Sequence, residues 1–154
     1  MPTVFVSGDM CHHPALKAFA HGCNCAGAMG KGIALEFRER FPRMYAEYKR
    51  RCTEGRFALG DVFVWSDAGG VTVFNLATQA TTRTRADIQA IDTALARMLA
   101  AAVAAQIDRI GLPRVGAGLG GLPWEAVRAL LEKVGAATAI ELIVFETYVP
   151  RSIA

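Results

Sequence analysis

His21-Gly22-Cys23-Asn24-Cys25-Ala26-Gly27-Ala28-Met29-Gly30-Lys31-Gly32-Ile33-Ala34 is the stretch on which the fold turns. It has a counterpart near the other end of the chain, Pro113-Arg114-Val115-Gly116-Ala117-Gly118-Leu119-Gly120-Gly121-Leu122-Pro123-Trp124. Each follows an apolar strand signal and runs into a helix signal. In such a loop the backbone N–H groups can point at a phosphate, and the start of the helix adds a favourable field. Glycine permits the close approach and the positive φ that this needs. Ordinary glycine turns are the plain alternative for one loop. Two in the same strand–glycine–helix context read as two jaws around one diphosphate. The first is not a P-loop, because Cys25 stands at the upstream glycine position and Gly32 replaces the magnesium-binding hydroxyl. The second spells G-x-G-x-x-G from Gly116 to Gly121 and has Glu146 roughly 25 residues later. It lies too near the C-terminus to leave room for the second half of a dinucleotide fold.

Working outward, strand and helix signals alternate, which reads as α/β. Thr3 to Val6 and Phe19 to Cys23 are strand candidates. Ile33, Phe37 and Phe41 share a helix face. Pro42 suits the first turn of a second helix, with Met44, Tyr45, Tyr48 and Cys52 recurring behind it and Gly55 as its stop. Asp61 to Trp65 and Val71 to Leu76, joined through Asp67-Ala68-Gly69-Gly70, read as a hairpin. The longest helix is expected from about Arg85 to Ala105, with Thr84 as N-cap and a stripe of Ile88, Ile91, Leu95, Met98 and Ala102. Arg109 to Leu112 is a strand. Pro123 opens a helix with Trp124, Val127, Leu131 and Val134 inside and Gly135 as its end. Ile140 to Phe145, apolar throughout, suits a strand in the middle of a covered sheet.

At 154 residues the chain fits one domain, 1–154. A net charge of +3 suits an anionic small molecule and is too weak to mark a nucleic-acid-binding face. The cluster Lys49-Arg50-Arg51 reads as a solvated helix face. No signal peptide and no apolar run of membrane-spanning length is present, so a cytoplasmic location is expected. The four cysteines, Cys11, Cys23, Cys25 and Cys52, are then expected as free thiols.

Asn24 to Ala34 resembles the first ligand loop of macrodomains, and Pro113 to Trp124 is similar to their second, phosphate-binding loop. Gly8-Asp9-Met10 resembles the family's early Gly-Asp element, and order and spacing agree over about residues 3–148. The branch most like this chain contains the terminal ADP-ribose protein glycohydrolase and the bacterial antitoxins that clear ADP-ribose from DNA. The resemblance implies a three-layer α/β/α sandwich around a mixed sheet, and ADP-ribose as ligand. By the same resemblance Asp9, beside Met10, accepts the adenine amino group. Val115, Gly116, Ala117, Gly118, Leu119 and Gly120 wrap the diphosphate, and Met29, Gly30, Lys31, Gly32 and Ile33 line it and the distal ribose from the other side. Asn24 reaches the ribose hydroxyls as donor and acceptor, Thr78 lines the site, and Tyr148, just past the last strand, stacks on adenine. A half-buried aromatic at a strand end is the equal alternative for Tyr148.

The branch carries catalysis on a lysine after the hairpin strand and, in its protein-acting members, on an aspartate in the second loop. Here Gln79 and Gly120 stand at those positions. An amide cannot form the covalent adduct and glycine supplies no base. Hydrolysis would then rest on a water between the jaws, oriented by the ligand's own diphosphate, with Asn24 and Gln79 as candidate catalytic residues. The substrates so implied are ADP-ribosylated protein, at acidic residues, or ADP-ribosylated DNA, with no stable nucleic-acid partner and no cofactor. The alternatives are an ADP-ribose reader without activity, and a phosphatase or deacetylase of small ADP-ribose metabolites. Cys11-His12-His13 and His21, Cys23 and Cys25 lack the spacing of common zinc motifs, so no metal is expected. A Cys25–His21 nucleophile pair is set aside for the same residues' expected burial. Trp65 and Trp124 read as packing residues.

Overall fold

A computed structural model describes residues 1–150. Its elements run β1 (Val4–Gly8), a 3-10 turn (Met10–His12), β2 (Ala18–Asn24), α1 (Gly32–Arg40), α2 (Pro42–Thr53), β3 (Val62–Ser66), β4 (Thr72–Gln79), α3 (Ile88–Ala104), β5 (Arg109–Leu112), α4 (Trp124–Ala136) and β6 (Glu141–Tyr148). They form one six-stranded sheet in the order β1-β6-β5-β2-β4-β3. All neighbours are parallel except the hairpin pair β3 and β4, so the sheet is mixed with one antiparallel edge.

Alternation along each strand sorts side chains into two cores. Ala18, Ala20, Phe74, Leu76, Leu142 and Val144 pack under α3 and α4, whose Ile91, Leu95, Met98, Val127 and Leu131 are fully buried. Phe19, Cys23, Val73, Ala77 and Phe145 pack on the other face, under Phe37 of α1 and Met44 and Tyr48 of α2. The result is the three-layer α/β/α sandwich. The parallel strands leave their C-terminal ends on one rim, where an open α/β sheet places its ligand crevice. Gly8, Asn24, Gln79, Pro113 and Tyr148 lie there, at the end of or one residue past their strands.

Two expected boundaries move. α3 begins at Ile88, and its cap is Asp87, whose Oδ1 accepts from the N–H groups of Gln89 (2.8 Å) and Ala90 (3.1 Å). Thr84 does not cap the helix because its hydroxyl is bonded to Thr81 in the preceding turn. Gly135 does not end α4 either; the helix continues to Ala136. Its missing side chain makes room for Thr3, the residue before β1, since a Cβ there would lie 1.8 Å from Oγ1 of Thr3. Tyr148 closes β6 rather than following it. Phe41 lies just past α1, between the two helices, and is still buried.

Candidate functional site

The rim carries a trench of three chambers that share walls. The first, about 410 Å³, is lined by Asp9, Met10, Ile33, Glu36, Phe145 and Tyr148 among others. The middle one, about 550 Å³, runs between Gly32 and Ile33 on one side and the second loop on the other, over Thr78. The far one, about 540 Å³, lies beyond Gln79 and Leu119, between Asn24, Met29 and Gly30 and the turn Thr82-Arg83. Each alone suits a small ligand, and the three in line suit a long one. Every expected site residue reaches a chamber wall except Ala117, whose N–H donates to the carbonyl of Arg114 and whose methyl packs toward the core. Ala117 thus supports the loop from behind.

The second loop is shaped by its backbone. Leu122 N–H donates to Gly116 C=O, and Ala86 N–H to Gly120 C=O. A Cβ on Gly116 would meet Ile91 at 2.5 Å, and one on Gly120 would meet the Gly116 carbonyl oxygen at 2.6 Å. Gly116 also sits at φ +73°. The N–H groups of Gly116, Gly118, Leu119 and Gly120 donate to no acceptor among the described residues. Opposite them, Gly32, Ile33 and Ala34 open α1, where helix geometry leaves the first N–H groups without an internal acceptor. Leu119, 75% exposed, reaches across: its Cδ1 lies 3.8 Å from where a Gly32 Cβ would be. The jaws meet at that point.

The first loop is shaped by side chains. Oδ1 of Asn24 accepts from the N–H groups of Ala26 (3.0 Å) and Ala28 (3.2 Å) and from Tyr48 Oη (3.0 Å). Its Nδ2 donates to the Ala28 carbonyl at 2.8 Å. The acceptor side of Asn24 is thus filled within the protein, so of the expected donor-and-acceptor role one N–H remains. A bulge between Cys23 and Asn24 brings Asn24 level with Gln79 across the β2–β4 ladder. Gln79 donates its Nε2 to the carbonyls of Thr81 (2.7 Å) and Thr84 (3.2 Å), and its own carbonyl accepts from Cys25 N–H at 2.9 Å. Both candidate catalytic amides are holding backbone.

At the first chamber, Asp9 Oδ2 lies 2.9 Å from His12 Nδ1, which is 3.6 Å from Glu36 Oε1. Ligand atoms of these three residues fall within 4.8 Å of one another, and among the described residues this is the grouping that could hold a cation. The cysteine and histidine sets weighed from the sequence do not gather that way. Burial, with Glu36 and Asp9 nearby, pushes the Cys11 thiol up to about 12. Burial likewise raises Cys25 to about 11 and raises Cys23 well above the ordinary thiol value. All three are protonated at neutral pH and are poor nucleophiles. His21 is fully buried, held near 4 by that burial, and donates Nε2–H to Oδ1 of Asn75 at 2.7 Å. It forms a neutral core network with Asn75 and Cys23 and is no base for Cys25. All four cysteines are free thiols.

Residues 20–131 match the profile of the family described as Macro domain. The chain belongs to that family. A DNA ADP-ribosyl glycohydrolase of Thermus aquaticus is 32% identical to this macrodomain over 147 residues, covering 92% of this chain and 40% of the relative. An ADP-ribose 1''-phosphate phosphatase of Candida albicans is 30% identical over 142 residues, covering 84% of this chain and 91% of the relative. The solved macrodomain of Mycobacterium tuberculosis DarG superposes with a TM-score of 0.85 at 29% identity, covering 97% of this chain and 98% of that one. The chain spans about 40% of the length of the curated glycohydrolases it matches.

Sequence reasoning missed Glu36, Phe145, Thr82 and Arg83 on the trench wall. Glu36 reads as solvent-facing in a helix pattern, and Phe145 as core. Thr82 and Arg83 carried a usable signal: the run Thr81-Thr82-Arg83-Thr84 has no apolar period and directly follows the strand that ends in Gln79. Among the described residues no helix is long and apolar enough to cross a membrane.

Proposed function

We propose that this macrodomain, as one domain over residues 1–154, binds ADP-ribose along the trench and hydrolyses it from modified macromolecules in the cytoplasm. The observation that carries the reading is the middle chamber, where unbonded N–H groups of the second loop face the start of α1. Such an arrangement is a preorganised diphosphate cradle. The two curated relatives differ in reaction, and their names share ADP-ribose. Adenine then lies in the first chamber, its amino group donating to Asp9 and its ring against Tyr148, with Met10 beneath. The diphosphate lies between Gly32 and Ile33 and the run Val115, Gly116, Gly118, Leu119 and Gly120, above Thr78. The distal ribose lies toward Asn24, Met29, Gly30 and Lys31.

The far chamber is lined by no Asp, Glu or His. Hydrolysis there rests on a water held by the ligand's diphosphate and the remaining Asn24 N–H, with Gln79 positioning the wall. The same observation favours a second reading, an ADP-ribose reader without turnover, because both amides are committed to backbone. The test is incubation with ADP-ribosylated protein and ADP-ribosylated single-stranded DNA side by side, following free ADP-ribose. Release from either supports the hydrolase and names its substrate. No release, with ADP-ribose bound in calorimetry, supports the reader.

A further inference from the structure

We propose that Glu36 makes the trench selective for an ADP-ribose whose adenosine ribose carries no phosphate. The inference rests on the reading that ADP-ribose occupies the trench with adenine in the first chamber. The charge lining the trench changes along its length. Asp9 and Glu36 line the first chamber, and among the described residues no Lys or Arg lines it. Lys31 and Arg114 enter the wall at the middle chamber, beside Glu146, and the far one has no carboxylate. An added anion is therefore opposed most strongly at the adenine end.

Glu36 stands where that opposition bears on the sugar. Gly32 and Ile33 line both the first and the middle chambers, so the ribose that joins the base to the diphosphate passes over them. Glu36 follows them four and three residues on, which puts it on the same face of α1, one turn further along. His12 Nδ1 stands 2.9 Å from Asp9 Oδ2 and 3.6 Å from Glu36 Oε1. One imidazole serves two carboxylates, so the trio keeps a net negative charge even with His12 protonated. Arg40 donates to the Cys11 carbonyl at 2.9 Å and does not line the chamber. Two other groups on the wall register the field. Glu36 and Asp9 add to burial in raising the Cys11 thiol, and Asp9 and Glu36 add to desolvation in raising the Tyr148 hydroxyl. The adenine amino group, a donor, suits such a corner, and a phosphate dianion does not. A phosphate on the adenosine ribose marks a 2'-phosphorylated dinucleotide as the source of the ADP-ribose. The modifications that fit the trench are then those made from the unphosphorylated dinucleotide.

The experiment is calorimetry with ADP-ribose and with ADP-ribose bearing a 2'-phosphate on its adenosine, for the parent protein, Glu36→Gln and Glu36→Asp. Melting curves check that the variants fold, and a salt series on the parent needs no variant. The parent is expected to bind the phosphorylated ligand about 30-fold more weakly, a gap that narrows as salt is added. Glu36→Gln, close in size and without the charge, should improve the phosphorylated ligand about tenfold relative to ADP-ribose. Glu36→Asp keeps the charge and should keep most of the gap. Equal affinity of the parent for the two ligands overturns the proposal. So does a gap that neither salt nor Glu36→Gln narrows, because size and not charge then sets it. In both outcomes ADP-ribose still binds. Failure of the parent to bind ADP-ribose overturns both readings.

Discussion

The two jaws of the trench reach similar ends by opposite means. The loop after β2 is held by side chains: Asn24 and Tyr48 bond its backbone from below. The loop after β5 is held by what its residues lack, since Gly116 and Gly120 lie where no Cβ fits. The difference matters for ligand chemistry. Side-chain bonding uses up amides of the first loop, at Ala26 and Ala28, whereas glycine packing leaves the amides of Gly116, Gly118, Leu119 and Gly120 unbonded. On the proposed reading the second loop is therefore the anion binder, and the first is the wall that faces it.

The largest effect expected separates shape from chemistry within the second loop. A Cβ on Gly118 would meet nothing within 4 Å, so Gly118→Glu folds normally while its carboxylate occupies the diphosphate position. Affinity for ADP-ribose should fall by about 100-fold or more with an unchanged melting temperature. Unchanged affinity would sink the two-jaw arrangement. Gly120→Ala, by contrast, drives a methyl into the Gly116 carbonyl oxygen and should lower stability and affinity together, by about 2 kcal/mol or more in urea unfolding. A melting curve that matches the parent protein would mean that packing does not set this loop.

On the first jaw, Asn24→Ala removes the acceptor of two backbone N–H groups and should cost about 2 kcal/mol of stability. The same side supplies a pH effect through His21, on β2. Its native imidazole takes a proton only near pH 4, against 6.5 for an ordinary histidine, because burial opposes the charge. Acid therefore favours the unfolded chain. The contribution is whole above about pH 6.5 and is lost as the pH falls toward 4. Between pH 7 and pH 5 it amounts to about 2 kcal/mol by linkage. Urea titrations should show that much less acid loss in His21→Gln than in the parent; equal losses would remove His21 as the cause. Tyr48→Phe, which deletes the 2.6 Å bond to the Asn24 carbonyl, should cost about 1 kcal/mol, read in the same assay. Its affinity for ADP-ribose should change little beside that of Gly118→Glu.

The contrast between the jaws also marks what could be read from the chain beforehand. Glycine spacing is local, so both loops and the helices they open were legible, and the apolar runs at β2, β4 and β6 marked them as strands. The parts that escaped depend on partners distant in sequence. Asp87 caps α3 because the Thr81–Thr84 turn engages Thr84 first. Gly135 lies in the last turn of α4, where Thr3 arrives against it from the other end of the chain. His12 meets Asp9 and Glu36 only once α1 lies beside the 3-10 turn. That Asn24 and Gln79 are occupied with backbone could not be inferred from their identities, which suit ligand contact equally well.

Gln79 also bears on how this site could change. The resemblance places a lysine at that position in related enzymes, and one codon's worth of change would look like a route to their chemistry. The carbonyls of Thr81 and Thr84 stand ready for any donor placed there. A lysine would meet them as a charged, tethered ammonium, not as the neutral amine a nucleophile needs. Gaining that chemistry would take a second change that rebuilds the turn, and rebuilding the turn would move Arg83. The side chain at residue 79 is thus also a part of the turn that carries Arg83, and a change at one is a change in the footing of the other.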